Sequence, residues 1–205
     1  MSKYDIIIIG SGLGGLECGA ILSKEGFNVC VVEKNAQFGG CFQTYQRKGH
    51  LLDTGIHYVG SLDEGQVMNQ YFRYFGIMDK LKIKRLDDAA FDTIYYKGKT
   101  YDYAMGYPQF IETICLKCYA EQLQAVGNLI SVDHLKQGTL ALESMKYFCT
   151  SAAHLIADIT PDPALRNVLA GSALLYGGLK DVSTFYQHAM INHSYIEGVC
   201  KSVWS

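Results

Sequence analysis

The most restrictive feature of this sequence is a run of four isoleucines that leads directly into a glycine cluster, "IIIIGSGLGG". The β-branched run Ile6–Ile9 predicts a short strand that is apolar on both faces, as in a central parallel strand. The following "LGGLECGAILSKEG" has apolar residues at helical spacing and ends at Gly26, and "NVCVVEK" predicts a second buried strand. Strand, turn, helix and strand within about thirty residues form a βαβ unit, so the sequence predicts an α/β fold with a parallel sheet.

The glycines between the first strand and the helix have the spacing G-x-G-x-x-G, at Gly10, Gly12 and Gly15. In this motif the first glycine permits the tight turn, the second lets the backbone approach a pyrophosphate, and the third lets the helix pack closely. The free N–H groups of the first helical turn and the helix dipole favour the negative charge of a diphosphate. The pattern therefore predicts a dinucleotide site, and the alternative is a tight turn that binds no ligand.

An acidic residue, Glu33, stands at the end of the second predicted strand. At this place in a βαβ unit a carboxylate accepts hydrogen bonds from the ribose hydroxyls of a dinucleotide. The same charge repels a 2′-phosphate, so Glu33 disfavours NADP.

The stretch after the second strand bears on the choice between NAD and FAD. A simple NAD-binding domain would continue with regular α/β alternation, but here "GGCFQTYQRKGHLLDTGIHYVG" follows, with a predicted hairpin in its middle. Gly39 and Gly40 suggest a second close approach of the backbone to the same ligand, and Gly55 suggests a third. This pattern favours FAD, because an NAD-only dehydrogenase would leave these elements unexplained.

Composition excludes several other classes of protein. The 205 residues are 49% hydrophobic and 19% charged, which is typical of a soluble globular protein. The formal net charge of -2 gives no electrostatic case for nucleic-acid binding. The N-terminus lacks a secretory signal, no apolar stretch approaches the ~20 residues of a membrane span, and seven scattered cysteines fit a reducing compartment. The sequence therefore predicts a cytoplasmic protein.

Metal and redox sites find little support. The "CLKC" pair, Cys115 and Cys118, has the spacing of a redox or zinc motif, but it lies in a predicted helix and no second pair follows. The histidines outside the glycine-rich segment lack metal-ligand spacing, and His188 and His193 would not share a helix face. We therefore expect no metal.

The remainder of the chain predicts a second region of α+β type. A helix is expected over residues 64–76, a hairpin over 92–104 that turns at Lys97–Lys99, and a helix from Pro108. Two more helices are expected over 133–158 and 161–176, and the chain is expected to end in a loop. These expectations divide the protein into an N-terminal dinucleotide-binding segment, 1–62, and a partial substrate domain of hairpin and helices, 63–205.

The segment from "DIIIIGSGLGG" to "DTGIHYVG" resembles the N-terminal FAD-binding segment of the phytoene desaturase and retinol saturase group of flavoproteins. Within that group, the pattern "GGC…T…KG…D.G.H..G" is most similar to the all-trans-retinol 13,14-reductase branch. The resemblance implies an FAD-binding Rossmann-like domain with a large inserted substrate domain. It also implies an FAD-dependent oxidoreductase that saturates or desaturates C–C bonds of an apolar polyene.

The resemblance also assigns cofactor contacts. The residues implied to wrap the FAD diphosphate are Gly10, Ser11, Gly12, Gly14 and Gly15. Glu33 would bind the adenosine ribose, with Lys34 beside it. Gly39 and Gly40 would pass over the ribityl and diphosphate region, with Thr44 nearby. Gly55, Ile56 and His57 would approach the isoalloxazine ring. His57 is the candidate catalytic side chain, and the alternative is that it only orients its loop.

The chain departs from the family after Gly60, where no second acid–glycine turn follows a buried strand. Family members are much longer, so we expect a truncated chain with uncovered sheet edges and apolar helix faces, and weak FAD affinity. The alternatives are another flavoprotein, such as an amine oxidase-like or protoporphyrinogen oxidase-like protein, or a non-catalytic dinucleotide-binding module. The aromatic stretches "NQYFRYFG" and "TIYYKGKTYDYAMGYP" predict an apolar tunnel or a peripheral membrane contact, and otherwise an ordinary core.

Overall fold

The computed structural model describes residues 3–114, 117–128 and 145–202, which form two compact units, one ending at His57 and the other beginning at Tyr58. This division falls a few residues before the predicted boundary at residue 62, and the roles assigned to the two regions stay predictions. Cys115, the side chain of Cys118 and residues 133–144 of a predicted helix lie outside the described residues.

The first unit begins with the βαβ element that the sequence predicts. Strand β1 (Ile6–Ile9) pairs in parallel with β2 (Val29–Val32), and helix α1 (Leu13–Lys24) connects them. Gly19 is buried where the helix packs on this sheet, and a Cβ there would lie in ordinary contact with the Val31 side chain, at 3.4 Å. The predicted α/β class with a parallel strand pair is confirmed.

The expectation that β1 is buried on both faces is wrong for this chain. Its side chains alternate: Ile6 and Ile8 are half-buried, whereas Ile7 is 65% exposed and Ile9 is 90% exposed. Successive side chains of a strand point to opposite faces, and α1 packs on the face that carries Ile8. The other face is apolar and open in the part of the chain that the structure describes.

A 3-10 turn, Gly40–Phe42, and a hairpin complete the first unit. Strands β3 (Thr44–Arg47) and β4 (His50–Asp53) pair antiparallel, which confirms the predicted hairpin. Lys48 and Gly49 connect them, and both have positive φ, 49° and 80°. Positive φ at both central residues is the requirement of the type I′ turn that suits the twist of a hairpin.

The second unit contains a small antiparallel sheet and a separate hairpin. The sheet consists of β5 (Val59–Gly60), β9 (Val199–Ser202) and β6 (Ile83–Arg85), with β9 in the middle. The hairpin of β7 (Asp92–Tyr96) and β8 (Lys99–Tyr103) turns at Lys97 and Gly98, as predicted. The expectation of a C-terminal loop is wrong, because β9 pairs antiparallel with β5 and β6, which lie far away in sequence.

The helices predicted over 64–76 and 161–176 are shorter in the structure. The helices of the second unit are α2 (Val67–Tyr74), α3 (Tyr107–Ile114), α4 (Lys117–Asn128), α5 (Met145–Cys149), α6 (Ala152–Ile159), α7 (Pro163–Leu169) and α8 (Phe185–Glu197). The helix predicted over 133–158 is broken at Ser151, which has an extended backbone. The Ser151 hydroxyl caps α6 by accepting a hydrogen bond from the His154 N–H. The helix predicted over 161–176 ends at Leu169, and a 3-10 turn, Gly171–Tyr176, follows it.

The core of the second unit is built around α8. Phe185, Ala189 and Ile196 on this helix are fully buried, and they belong to one apolar cluster with Phe110 of α3 and Leu123 of α4. Within the described part of the chain, no helix has the length and apolar character that crossing a membrane requires.

Candidate dinucleotide-binding site

The turn between β1 and α1 requires glycine at two positions for reasons internal to the protein. Gly10 has a φ of 102°, a conformation that side chains rarely adopt, and its N–H donates to the Val32 carbonyl at 2.8 Å. A Cβ at Gly15 would collide with the Gly10 carbonyl oxygen. These two glycines therefore provide the tight turn and the close approach of helix to strand that the motif predicts.

Gly12, like Gly14, has no contact among the described residues that requires a glycine. Its φ is -67°, which any residue adopts, and a Cβ built there meets no atom within 4 Å. Gly12 is the N-cap of α1 and makes no side-chain capping bond, so the first N–H groups of the helix are left for another partner. An open, side-chain-free position at a helix N-terminus fits a diphosphate.

Glu33 follows β2 directly and lies beside this turn. One carboxylate oxygen, Oε2, accepts hydrogen bonds from the Ser11 hydroxyl at 2.7 Å and from the Ser11 N–H at 2.9 Å. The other oxygen, Oε1, accepts from the Asn35 N–H at 2.9 Å. These donors, the Ser11 hydroxyl first, lower the pKa of Glu33 to about 2. Glu33 is therefore ionised throughout the physiological range, as repulsion of a 2′-phosphate requires.

The second glycine segment packs on the first turn. A Cβ at Gly40 would lie 2.9 Å from Gly12 Cα, and the Gly39 N–H donates to the Ser11 carbonyl at 2.9 Å. Gly55 approaches the Cys41 carbonyl oxygen, which a Cβ at position 55 would reach at 2.5 Å. At Gly40 and Gly55 the backbone thus approaches other backbone segments of the first unit closely. Contact of these glycines with a cofactor stays a prediction.

The remaining predicted residues lie at the surface of the first unit. Gly14 lies in the first turn of α1 with open space around it, and Lys34, Ile56 and His57 are exposed. Thr44 is half-buried at the start of β3. The roles of these five residues stay predictions.

Sequence reasoning missed the polar network around the histidines of α8. His188 is fully buried; its Nε2 lies 2.6 Å from the Tyr119 hydroxyl and its Nδ1 lies 2.8 Å from the Tyr176 hydroxyl. Burial lowers the pKa of His188 to about 4. His193 instead contacts the Tyr107 hydroxyl and Glu197, which agrees with the prediction that the two histidines face different sides of the helix.

The chain is similar to known proteins both in sequence and in structure. Residues 8–75 match the model of the NAD(P)-binding Rossmann-like domain. A Rattus norvegicus protein named all-trans-retinol 13,14-reductase is 28% identical over 228 residues, covering 96% of this chain and 36% of that protein. A Danio rerio protein named inactive all-trans-retinol 13,14-reductase is 44% identical over 66 residues, covering 32% of this chain and 11% of that protein. A solved structure of putrescine oxidase has a TM-score of 0.63 at 16% identity, covering 92% of this chain and 41% of that one.

The parallel strand pair, the glycine turn and the domain match show a Rossmann-like fold in the N-terminal part of the chain. Over 96% of its length the chain is similar to proteins named all-trans-retinol 13,14-reductase, which confirms the resemblance predicted from its sequence. The chain spans 36% of the length of the first curated relatives that it matches. The likeness to putrescine oxidase concerns the fold alone.

Proposed function

We propose that the first unit binds FAD, with the diphosphate at the first turn of α1 and the adenosine ribose at Glu33. The observation that carries this proposal is Gly12, whose lack of a side chain nothing in the surrounding protein requires. Gly12, Gly14 and the N–H groups that open α1 would hold the diphosphate, and Glu33 would accept from the ribose hydroxyls. Once bound, FAD supplies the hydride chemistry of an oxidoreductase.

We further propose that the whole protein acts on a C–C double bond of an apolar polyene, by saturation or desaturation. The support is the similarity to proteins named for retinol, which extends over 96% of this chain and so includes the second unit. His57 is the candidate catalytic side chain, and Lys34, Gly39, Gly40, Thr44, Gly55 and Ile56 are the further candidate contacts.

Binding is tested by titrating the 205-residue chain into FAD and following flavin fluorescence. Gly12→Val fills the open space at the turn, and its cost in stability should stay within about 1 kcal/mol, because valine is only a poorer N-cap than glycine. We expect saturable quenching with the unchanged chain and none with Gly12→Val. The matched control is Ser23→Val, at an exposed position near the other end of α1. Equal quenching by both variants would contradict the proposal.

Catalysis is tested separately, with retinol and chemically reduced FAD. Saturation of a double bond shortens the conjugated chain, so retinol absorbance should fall with time and should not fall with Gly12→Val. A chain that binds FAD but leaves retinol unchanged would favour the second candidate, a non-catalytic dinucleotide-binding module. That candidate is supported by the 44% identity to a relative named inactive.

The proposed surroundings of the protein follow from the substrate class and the cysteines. The described thiols that are free in the structure, at Cys18, Cys30, Cys41, Cys149 and Cys200, support a reducing compartment such as the cytoplasm.

Exposed aromatic side chains, Tyr71 at 50% and Tyr95 at 72%, support a peripheral contact with membranes that hold the polyene. Failure of the protein to sediment with retinol-containing liposomes would contradict this contact.

A further inference from the structure

Ser11 is a buried hydroxyl residue in the middle of a turn made of glycines. It is only 3% exposed, in a unit where the other described residues, apart from Gly19, are half-buried or exposed. A buried hydroxyl is costly unless it finds hydrogen-bond partners. Its partners therefore indicate what the residue does.

The polar atoms of Ser11 join two separate segments of the first unit. The hydroxyl donates to Glu33 Oε2 at 2.7 Å and accepts from the Gly39 N–H at 3.3 Å. The backbone of Ser11 repeats both connections: its N–H donates to the same carboxylate oxygen at 2.9 Å, and its carbonyl accepts from Gly39 at 2.9 Å. One residue thus links the acid after β2 to the second glycine segment.

This arrangement fixes the direction in which the Glu33 carboxylate points. With two donors on Oε2 and the Asn35 N–H on Oε1, the carboxylate is held in one orientation, and Oε1 retains a lone pair for a further donor. Charge-assisted bonds of this length are about twice as strong as neutral ones. A ribose hydroxyl would supply the donor to this position on Oε1.

We propose that Ser11 is a positioning residue that aims the Glu33 carboxylate at the adenosine ribose and so sets the preference for a 2′-hydroxyl over a 2′-phosphate. The proposal rests on the proposed binding of a dinucleotide at this turn. The family resemblance implies that Ser11 contacts the diphosphate, whereas here Ser11 acts through Glu33.

The charge state of Glu33 supports this role. The Ser11 hydroxyl is the largest cause of its lowered pKa, followed by the N–H groups of Asn35 and Ser11 and a smaller contribution from the Lys34 N–H. No charged side chain is among these causes. At neutral pH the carboxylate therefore stays ionised without the hydroxyl, and the loss of Ser11 would act on its orientation.

The test uses the 205-residue chain with ADP-ribose and 2′-phospho-ADP-ribose as probes, and the carboxyl ¹³C resonance of Glu33 as an independent readout. In Ser11→Ala we expect the pKa of Glu33 to rise towards its ordinary value. Affinity for ADP-ribose should fall about tenfold, the effect of losing one charge-assisted hydrogen bond, whereas affinity for the 2′-phosphorylated probe should change less. Ser11→Thr keeps the hydroxyl and should restore both the pKa and the preference.

The outcomes separate this proposal from the function on which it rests. If the unchanged chain binds neither probe, the proposed dinucleotide site is wrong. If the unchanged chain binds ADP-ribose and Ser11→Ala leaves both the Glu33 pKa and the preference unaltered, only the positioning role is wrong. An equal loss of affinity for both probes with an unaltered Glu33 pKa would also overturn the positioning role, because Ser11 would then contribute only to the packing of the turn.

Discussion

The hydroxyl of Tyr119 lies 2.6 Å from Nε2 of His188, and neither side chain reaches solvent. On the other side of the ring, Nδ1 lies 2.8 Å from the Tyr176 hydroxyl. The side-chain amide nitrogen of Asn192, which only donates, lies 3.4 Å from Nε2. In the neutral imidazole one ring nitrogen donates and the other accepts, and each has a tyrosine hydroxyl as its partner. The network ties α4 and the turn Gly171–Tyr176 to α8.

The first prediction concerns the Tyr119 hydroxyl. Tyr119→Phe leaves Nε2 of His188 buried with only the long contact to Asn192, so the free energy of unfolding should fall by about 1–3 kcal/mol. Urea denaturation measures the change. Tyr95→Phe, at a side chain that is 72% exposed, is the control and should change stability by less than about 0.5 kcal/mol. Equal effects of the two variants would mean that the buried contact contributes nothing.

The second prediction is a pH dependence of stability that originates at His188. Its pKa is about 4 in the folded protein and 6.5 without the fold, so the unfolded chain binds more protons between these values. Stability should therefore be fully present above pH 6.5 and fall as the pH drops to about 4, by roughly 3 kcal/mol from this group. Burial also lowers the pKa of His193, which adds to the fall.

Denaturation curves measured from pH 7 to pH 4 for two variants assign this slope. His188→Gln removes the titrating group and should flatten the curve, even though the variant is less stable at pH 7. His154→Gln removes an exposed histidine and should leave the slope as it is. A slope that survives in His188→Gln would show that other groups cause it.

The third prediction concerns the packing of α4 against α8. A Cβ at Gly127 would collide with the ring of His193. Gly127→Ala should therefore destabilise the protein by about 1–3 kcal/mol, although alanine favours a helix more than glycine does. Thermal denaturation measures the change, and Gln124→Ala, at an exposed position on the same helix, is the control. A gain in stability with Gly127→Ala would mean that this approach is not close.

The parts of this protein that the sequence predicts are those determined by local patterns. The βαβ unit follows from hydrophobic runs and glycine spacing, and the turn at Lys97 and Gly98 follows from Gly98, which tolerates positive φ. Gly10 and Gly15 have the predicted geometry for the same reason, because their requirement comes from atoms only a few residues away.

Features that depend on distant contacts could not be predicted. Tyr119 and His188 are 69 positions apart, and no local signal pairs them. Strand β9 forms because β5 and β6 flank it, which its own sequence does not indicate. The role of Ser11 had a partial signal, a hydroxyl residue between the first two glycines, but only the fold shows that it faces Glu33.

The last prediction tests the open face of β1. Ile7 and Ile9 point away from α1, whereas Ile8 points towards it. Replacing Ile7 and Ile9 together by threonine keeps β-branched side chains on the strand and removes exposed apolar surface, so binding of the dye ANS should fall while stability changes little. Ile8→Thr is the matched variant: it places a hydroxyl against the helix and should cost about 1–3 kcal/mol. If the double variant is less stable than Ile8→Thr, the side chains of Ile7 and Ile9 are buried in solution, and the prediction of an open face on β1 is wrong.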